Sequence, residues 1–286
     1  MKQNYKTLFE NHLKSLYAKP LDQTLDEAMM YSLLAGGKRI RPVLLFSTLE
    51  LLQVDPKKGL SVATAIEMIH TYSLIHDDLP AMDDDDYRRG KLTNHKVFGE
   101  AVAILAGDGL LTDSFAQISK DESLNLEQRI QLITLISEAA GTRGMVGGQM
   151  LDIKAEESEL TLEELKRVHR HKTGDLIKAC FVCAGFIAEQ PTDVLKQLSE
   201  IGQRFGLIFQ IKDDILDVEG NFEQMGKAVG SDENNAKSTY VSLLGLEGAK
   251  EAMQTLNKET LELISSLNGD HSALNDLLQY IISREK

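Results

Sequence analysis

The sequence predicts an all-α protein, one large helical bundle of about ten core helices spanning residues 1–286, and three observations lead there. Prolines occur only at positions 20, 42, 56, 80 and 191, so the intervals 81–190 and 192–286 contain none and long helices meet no breaker. Apolar residues recur at helical spacing: Val62, Ile66, Ile69 and Ser73 at intervals of 4, 3 and 4, and Ala249, Met253, Leu256, Thr260, Leu263 and Leu267 at 4, 3, 4, 3 and 4, one face of a helix in each case. No run of period-two alternation bounded by tight hairpin turns stands out, and no repeat recurs at a fixed period.

The elements follow in chain order. The opening MKQNYKTLFENHLKSLYAKP has no apolar signal core and reads as a first amphipathic helix. Asp22-Gln23-Thr24-Leu25 opens the next one, with Asp22 as the cap. The apolar helix ending IEMIHTYSLIHDD should stop just after Asp77-Asp78, because Pro80 disfavours helical geometry in the residue before it. Thr161-Leu162-Glu163-Glu164 is a capping box. Leu176 to Ala188 is the most apolar stretch, too short to span a bilayer and interrupted by Lys178. No Gly/Ser-rich or Pro-rich linker divides the chain, so a single domain is expected.

Composition narrows the function. Apolar residues make up 42% and charged residues 26%, an ordinary globular balance. The 31 basic residues against 44 acidic ones leave a net charge of −13, which argues against nucleic acid as a partner and against docking on anionic lipid. The expectation is a cytoplasmic, acidic, globular protein with no membrane insertion. The two cysteines, Cys180 and Cys183, lie within an apolar helical stretch; with no thioredoxin-like context and no further ligands nearby, they read as buried inert thiols.

The acid is concentrated. Asp77 to Asp86 reads DDLPAMDDDD, six aspartates in ten residues, and a second group lies at Asp213-Asp214-Ile215-Leu216-Asp217. A solvated surface accounts for Asp84 to Asp86. It does not account for Asp77 and Asp78, which end an apolar helix, or for Asp213 to Asp217, which interrupt GLIFQIKDDILDV. Like charges in such settings repel one another unless cations neutralise them, and carboxylates at this density select hard cations, Mg²⁺ first. Gln210, Asp213 or Asp214, and Asp217 share one helix face; Asp83 must return to Asp77 through a short loop. An EF-hand is excluded, since Tyr87 and Lys96 fall where oxygen ligands are required.

Cations accompany the acids. GGKRIRP, from Gly36 to Pro42, is a glycine-bearing basic turn, and Arg88-Arg89, Lys172-Thr173, Lys227 and Lys237 follow. Lys38 with Arg41, and Arg88 with Arg89, suit phosphate clamping. Acidic metal platforms beside cationic clamps imply substrates carrying diphosphates, with Mg²⁺ bridging aspartate to diphosphate oxygen.

Taken in order, GGKRIRP, EMIHTYSLIHDDLPAMDDDDYRRGKLTNH, GQMLDI, HKTGDLIKA, FQIKDDILD and GKAVGSDENNAKSTY resemble the trans-type isoprenyl diphosphate synthases (the polyprenyl synthetases) over nearly the whole chain. The four-residue gap between Asp78 and Asp83 is like that of their bacterial short-chain branch, which makes farnesyl diphosphate. The resemblance implies a helical bundle around a deep central cleft, usually homodimeric, that condenses isopentenyl diphosphate with dimethylallyl or geranyl diphosphate. It implies three Mg²⁺ ions, with Mn²⁺ as a substitute: two on Asp77 and Asp83 and a third on Asp213, with Asp78, Asp214 and Asp217 in support. Arg88, Lys172 and Lys227 would hold the allylic diphosphate, and Gly37, Lys38, Arg41, His70 and Arg89 that of isopentenyl diphosphate. The Lys172 and Thr173 carbonyls and the Gln210 amide oxygen would face an allylic cation, and Lys237 would make lid-side contacts.

The resemblance also makes Tyr72, the fifth residue before Asp77 and about 7.5 Å along the helix, the floor that stops growth at fifteen carbons. An ideal helix places Tyr72 some 140° from Asp77, with the neighbouring Ser73 closer in angle. A geranylgeranyl diphosphate synthase is the alternative within the family. A helical phosphohydrolase built on His76-Asp77 lacks a clean set of further ligands, a terpene cyclase is disfavoured by the intact second aspartate group, and a regulatory subunit would have eroded motifs.

Overall fold

The computed structural model describes residues 3–17, 21–155, 159–219 and 238–285. The all-α expectation is met: eleven α-helices among the described residues run for eleven residues or more. The chain forms two compact units.

One unit comprises residues 2–46 and 55–133. It contains α1 (Gln3–Leu13), α2 (Gln23–Leu33), the first part of α3 (Ile40–Leu51), α4 (Leu60–Asp77), the short α5 (Asn94–Phe98), α6 (Glu100–Ser119) and the start of α7 (Leu126–Ala140). Phe9 and Leu13 make the amphipathic reading of α1 correct, both being fully buried, and the Phe9 ring meets Phe46 edge-on at 6.2 Å. Asp22 caps α2, accepting from the Leu25 amide at 3.0 Å. α4 is buried on most of its circumference, Val62, Ile66 and Ile69 included, and packs along α6. α6 is the one described helix long and apolar enough to cross a membrane by length and composition. Its stripe of Ala103, Ala106, Gly107, Leu110, Ser114 and Ile118 is nevertheless buried, as expected of a core helix.

A small sheet departs from the strandless expectation. β1 (Tyr87–Arg88) pairs antiparallel with β2 (Lys91–Leu92) around Arg89 and Gly90, whose φ angles of 54° and 75° suit a tight hairpin turn. Two residues per strand are too few to show alternation. The Leu92 carbonyl accepts from the Tyr31 hydroxyl at 2.8 Å, and Asn94 donates to the Ala28 carbonyl at 2.8 Å, which anchors the hairpin to α2.

The second unit comprises chiefly residues 47–54 and 134–286. Its helices are α8 (Met145–Ala155), α9 (Leu162–His169), α10 (Asp175–Ile187), α11 (Thr192–Glu219), α12 (Tyr240–Ser265) and α13 (Ser272–Ser283). The Thr161–Glu164 capping box starts α9. Cys180 and Cys183 are free and buried, and burial, then the neighbouring Cys180, pushes the Cys183 thiol well above its usual range. α10 packs on α11, with the Phe181 and Phe205 rings 5.0 Å apart. On α12, Ala249, Met253 and Thr260 are buried, with a break at Gly245 (φ 73°).

Between α9 and α10, residues 170–174 (RHKTG) wind as a π-turn, where a continuous helix is the simpler expectation. The Asp175 amide reaches five residues back to the Arg170 carbonyl. Two glycines press on this turn. A Cβ at Gly148 of α8 would strike the Lys172 backbone, and one at Gly206 of α11 would strike Gly174.

Candidate active site

In the first unit α4 ends at Asp77, as the position of Pro80 requires. The chain then doubles back, and the Asp83 amide donates to the Asp77 carbonyl at 2.9 Å. This turn answers what the helical wheel left open, since it carries Asp83 back to the helix end. Asp78 is buried and receives Nε and Nη2 of Arg88, both at 2.6 Å. Of the remaining run, Asp84 and Asp86 are exposed, and Asp86 pairs with Lys96 at 2.6 Å.

The basic turn divides its cations. Arg39 (φ 52°) points inward, 3% exposed, and binds Glu67 and the Leu33 carbonyl at 2.6 Å each. It is a structural ion pair that sequence reasoning passed over, and Lys38 and Arg41 remain half-buried on the turn. Gly37 (φ 119°) lies against the Arg89 guanidinium, which a Cβ would strike, and Arg89 donates to the Gly36 carbonyl at 2.5 Å. His70 sits beside these groups. Its pKa is held well below the usual imidazole value by burial, and then by Arg41, Arg89, Arg88 and Arg39. Gly37, Arg41, His70 and Arg89 thus share one electropositive neighbourhood. Tyr72 is buried, with its ring edge-on to His76; Ser73 is half-buried and donates to the His70 carbonyl at 3.0 Å.

In the second unit one cavity of about 170 Å³ is lined by Asp152, His169, Lys172, Thr173, Gln210 and Asp214, among others. For comparison, an apolar cavity of about 150 Å³ takes up benzene. Lys172 Nζ is 2.5 Å from Asp152 Oδ2. Asp214 is buried and accepts from the Tyr240 amide at 2.7 Å. Of the two candidates for the shared face, Asp214 lines the cavity with Gln210. Asp213 instead receives the buried Arg284 at 2.5 Å, whose guanidinium also lies over the Phe209 ring. Asp217 is half-buried. His169 stacks on Tyr240 at 5.9 Å, and burial lowers its pKa to about 4. Lys227 and Lys237 lie outside the described residues.

Asp152, His169, Tyr240 and Arg284 were missed as neighbours of the site. Asp152 had a signal, since it lies in GQMLDI. Arg284, two residues before the terminal Lys286, had none.

The carboxylates supply hard oxygen donors that fit a divalent cation. Among the described residues no three His, Cys, Asp or Glu side chains are grouped as a ready-made cage; Mg²⁺ commonly takes one or two carboxylates and fills its shell with water and substrate oxygen. The guanidiniums on Asp78 and Asp213 already provide cationic partners there.

A family model described as polyprenyl synthetase matches residues 22–281. The chain is 54% identical over 286 residues to a farnesyl diphosphate synthase of Micrococcus luteus, covering 100% of this chain and 98% of that relative. It is 49% identical over 284 residues to a farnesyl diphosphate synthase of Bacillus subtilis (strain 168), covering 98% and 96%. Among solved structures, an apo FPP/GFPP synthase from Zymomonas mobilis aligns with a TM-score of 0.86 at 38% identity, covering 98% of this chain and 100% of that one. A geranyltransferase from Helicobacter pylori complexed with magnesium and isoprenyl diphosphate aligns at 0.85 and 36%, covering 98% and 94%.

Proposed function

We propose that this chain, which belongs to the polyprenyl synthetase family, joins isopentenyl diphosphate head to tail to an allylic diphosphate and stops at farnesyl diphosphate. The observation that carries the reading is the cavity on which Lys172, Thr173, Gln210 and Asp214 converge: a cation for a diphosphate, amide and carbonyl dipoles for a carbocation, and a carboxylate for a metal. The allylic C–O bond breaks with both electrons leaving on diphosphate. The double bond of isopentenyl diphosphate then supplies the pair for the new C–C bond, and the proton lost afterwards goes to the released diphosphate.

Asp77, Asp83 and Asp213 would hold Mg²⁺, three ions in all and replaceable by Mn²⁺, with Asp78, Asp214 and Asp217 supporting them. The bound metal neutralises the charge that develops on the leaving diphosphate. Lys172 exchanges Asp152 for the allylic diphosphate, and the resemblance assigns Arg88, Lys227 and, on closure, Lys237 to diphosphate as well. Gly37, Lys38, Arg41, His70 and Arg89 hold the second diphosphate. His70, neutral among arginines, offers a hydrogen bond there without a further charge to desolvate. The π-turn departs from the usual i to i−4 ladder at Lys172 and Thr173, a feature frequent at functional sites, and so suits carbonyls that face a cation.

The enzyme is read as one cytoplasmic catalytic domain, residues 1–286, that works as a homodimer. Ile104 and Leu105 on α6, and Leu126 and Ile130 at the start of α7, are exposed apolar side chains of the kind a second copy could cover. Sedimentation at micromolar concentration checks this.

Purified full-length chain, Mg²⁺, labelled isopentenyl diphosphate and geranyl diphosphate form the decisive assay. A C15 diphosphate that vanishes with EDTA is the expected product. Free phosphate without chain growth points to the hydrolase reading instead. Tyr72→Ala should shift products towards C20; growth that still stops at C15 would leave Tyr72 a core residue only.

A further inference from the structure

Tyr72 and His76 lie one turn apart on α4, with ring centroids 5.7 Å apart and planes at 76°. Tyr72 is 6% exposed. Burial, then Asp77, pushes its phenol up to about 12, so the ring is a packed neutral group. His76 is held from α6. Its Nε2 is 3.1 Å from the Ile104 carbonyl, and its imidazole lies over Gly107, where any Cβ would land on the ring. A glycine inside a long helix is a poorer helix former than alanine; here the missing side chain makes the notch in which the imidazole sits. The Tyr72 ring is therefore braced, through His76, by the backbone of a second helix.

We propose that His76, seated in the Gly107 notch, is a positioning residue for Tyr72 and thereby sets the length at which prenyl growth stops. The proposal rests on the prenyl-elongation reading and on Tyr72 as the floor. Without the imidazole, Tyr72 gains room to turn aside, and a further five-carbon unit fits before the chain meets an obstacle. A methyl at position 107 evicts the imidazole and has the same consequence, but only while the imidazole is there to evict.

The experiment is product analysis by chain length, with full-length enzyme, Mg²⁺, isopentenyl diphosphate and geranyl diphosphate. His76→Ala should raise the C20:C15 ratio roughly tenfold, the scale on which a pocket discriminates added carbons. His76→Gln keeps a donor for the Ile104 carbonyl but loses the ring, and should fall in between. Gly107→Ala should raise the ratio alone and add nothing to His76→Ala. In a Tyr72→Ala background, His76→Ala should change the ratio by less than about twofold. A role in stability alone would lower the melting temperature and leave the ratio where it was. A folded, active His76→Ala enzyme with an unchanged ratio overturns the proposal, as does a full independent effect of His76→Ala on top of Tyr72→Ala. Should His76→Ala fail to fold, His76→Gln and Gly107→Ala decide. Wild-type enzyme that makes C20 removes the Tyr72 floor and the proposal with it. Wild-type enzyme that extends no chain removes the prenyl-transfer reading itself, whereas normal C15 synthesis with silent variants removes only the bracing.

Discussion

The acidic stretch around Asp77 and the one around Asp213 use the same side chains in opposite ways. The first straddles a helix end: α4 stops, Pro80 prevents its continuation, and Asp83 is tied back to Asp77. Its compensating cations are near in sequence, Arg88 for Asp78 and Lys96 for Asp86. The second stretch lies within a 28-residue helix, α11. Its partners come from far along the chain, Arg284 for Asp213 and the Tyr240 amide for Asp214. A carboxylate cluster carried round a turn can thus be organised by its own neighbourhood, whereas one that stays on the helix, here in the last two turns of α11, depends on the tertiary structure around it.

Three measurements test that contrast. If both stretches are metal platforms for one reaction, Asp77→Asn and Asp213→Asn should each lower kcat on the order of 10²–10³-fold in steady-state assays at saturating Mg²⁺. A large loss in only one of them would break the equivalence. A smaller effect concerns the histidine stacked beside the second stretch. Burial lowers the His169 pKa from 6.5 to about 4, so below pH 6.5 the unfolded chain takes up a proton that the folded chain refuses. Stability is whole above about pH 6.5 and drains as the pH falls towards 4, by at most roughly 3 kcal/mol. Thermal unfolding between pH 7 and pH 5 should show the decline, and His169→Phe should make it shallower, leaving the share that belongs to the buried His70. Last come the partners themselves. Arg284→Ala strips a half-buried carboxylate of a buried partner and should cost about 1–3 kcal/mol in denaturant unfolding. Lys96→Ala, at an exposed local pair, should leave the unfolding midpoint unmoved.

The same contrast explains what could be read from the sequence. The helix end at Asp77, the caps at Asp22 and Thr161 and the buried thiols were all legible, because each depends on residues a few positions apart. The Asp78–Arg88 contact falls within one quoted motif. Arg284 and Tyr240 were not legible as partners of α11, since no local pattern links position 213 to 284. The inward turn of Arg39 was hidden by its basic neighbours, as its partner Glu67 lies 28 residues on. The π-turn left no periodic trace, because one extra residue within a short segment is smaller than the window in which a period is recognised.

That extra residue is also one the rod can lose. α9, the π-turn and α10 follow one another without a gap from Leu162 to Ile187. A turn whose amide reaches five residues back instead of four holds about one residue more per revolution than an α-turn, so the helices on either side keep nearly the phase of an uninterrupted rod. Deleting the exposed Arg170 would let the ladder close as ordinary α-helix and leave Phe181 against Phe205 of α11; what goes is the widened turn itself. A further inserted residue has no such turn to absorb it and would rotate the apolar α10 by about 100° relative to the charged α9. At this point the chain should shorten more readily than it lengthens, and at the expense of the turn rather than of the fold.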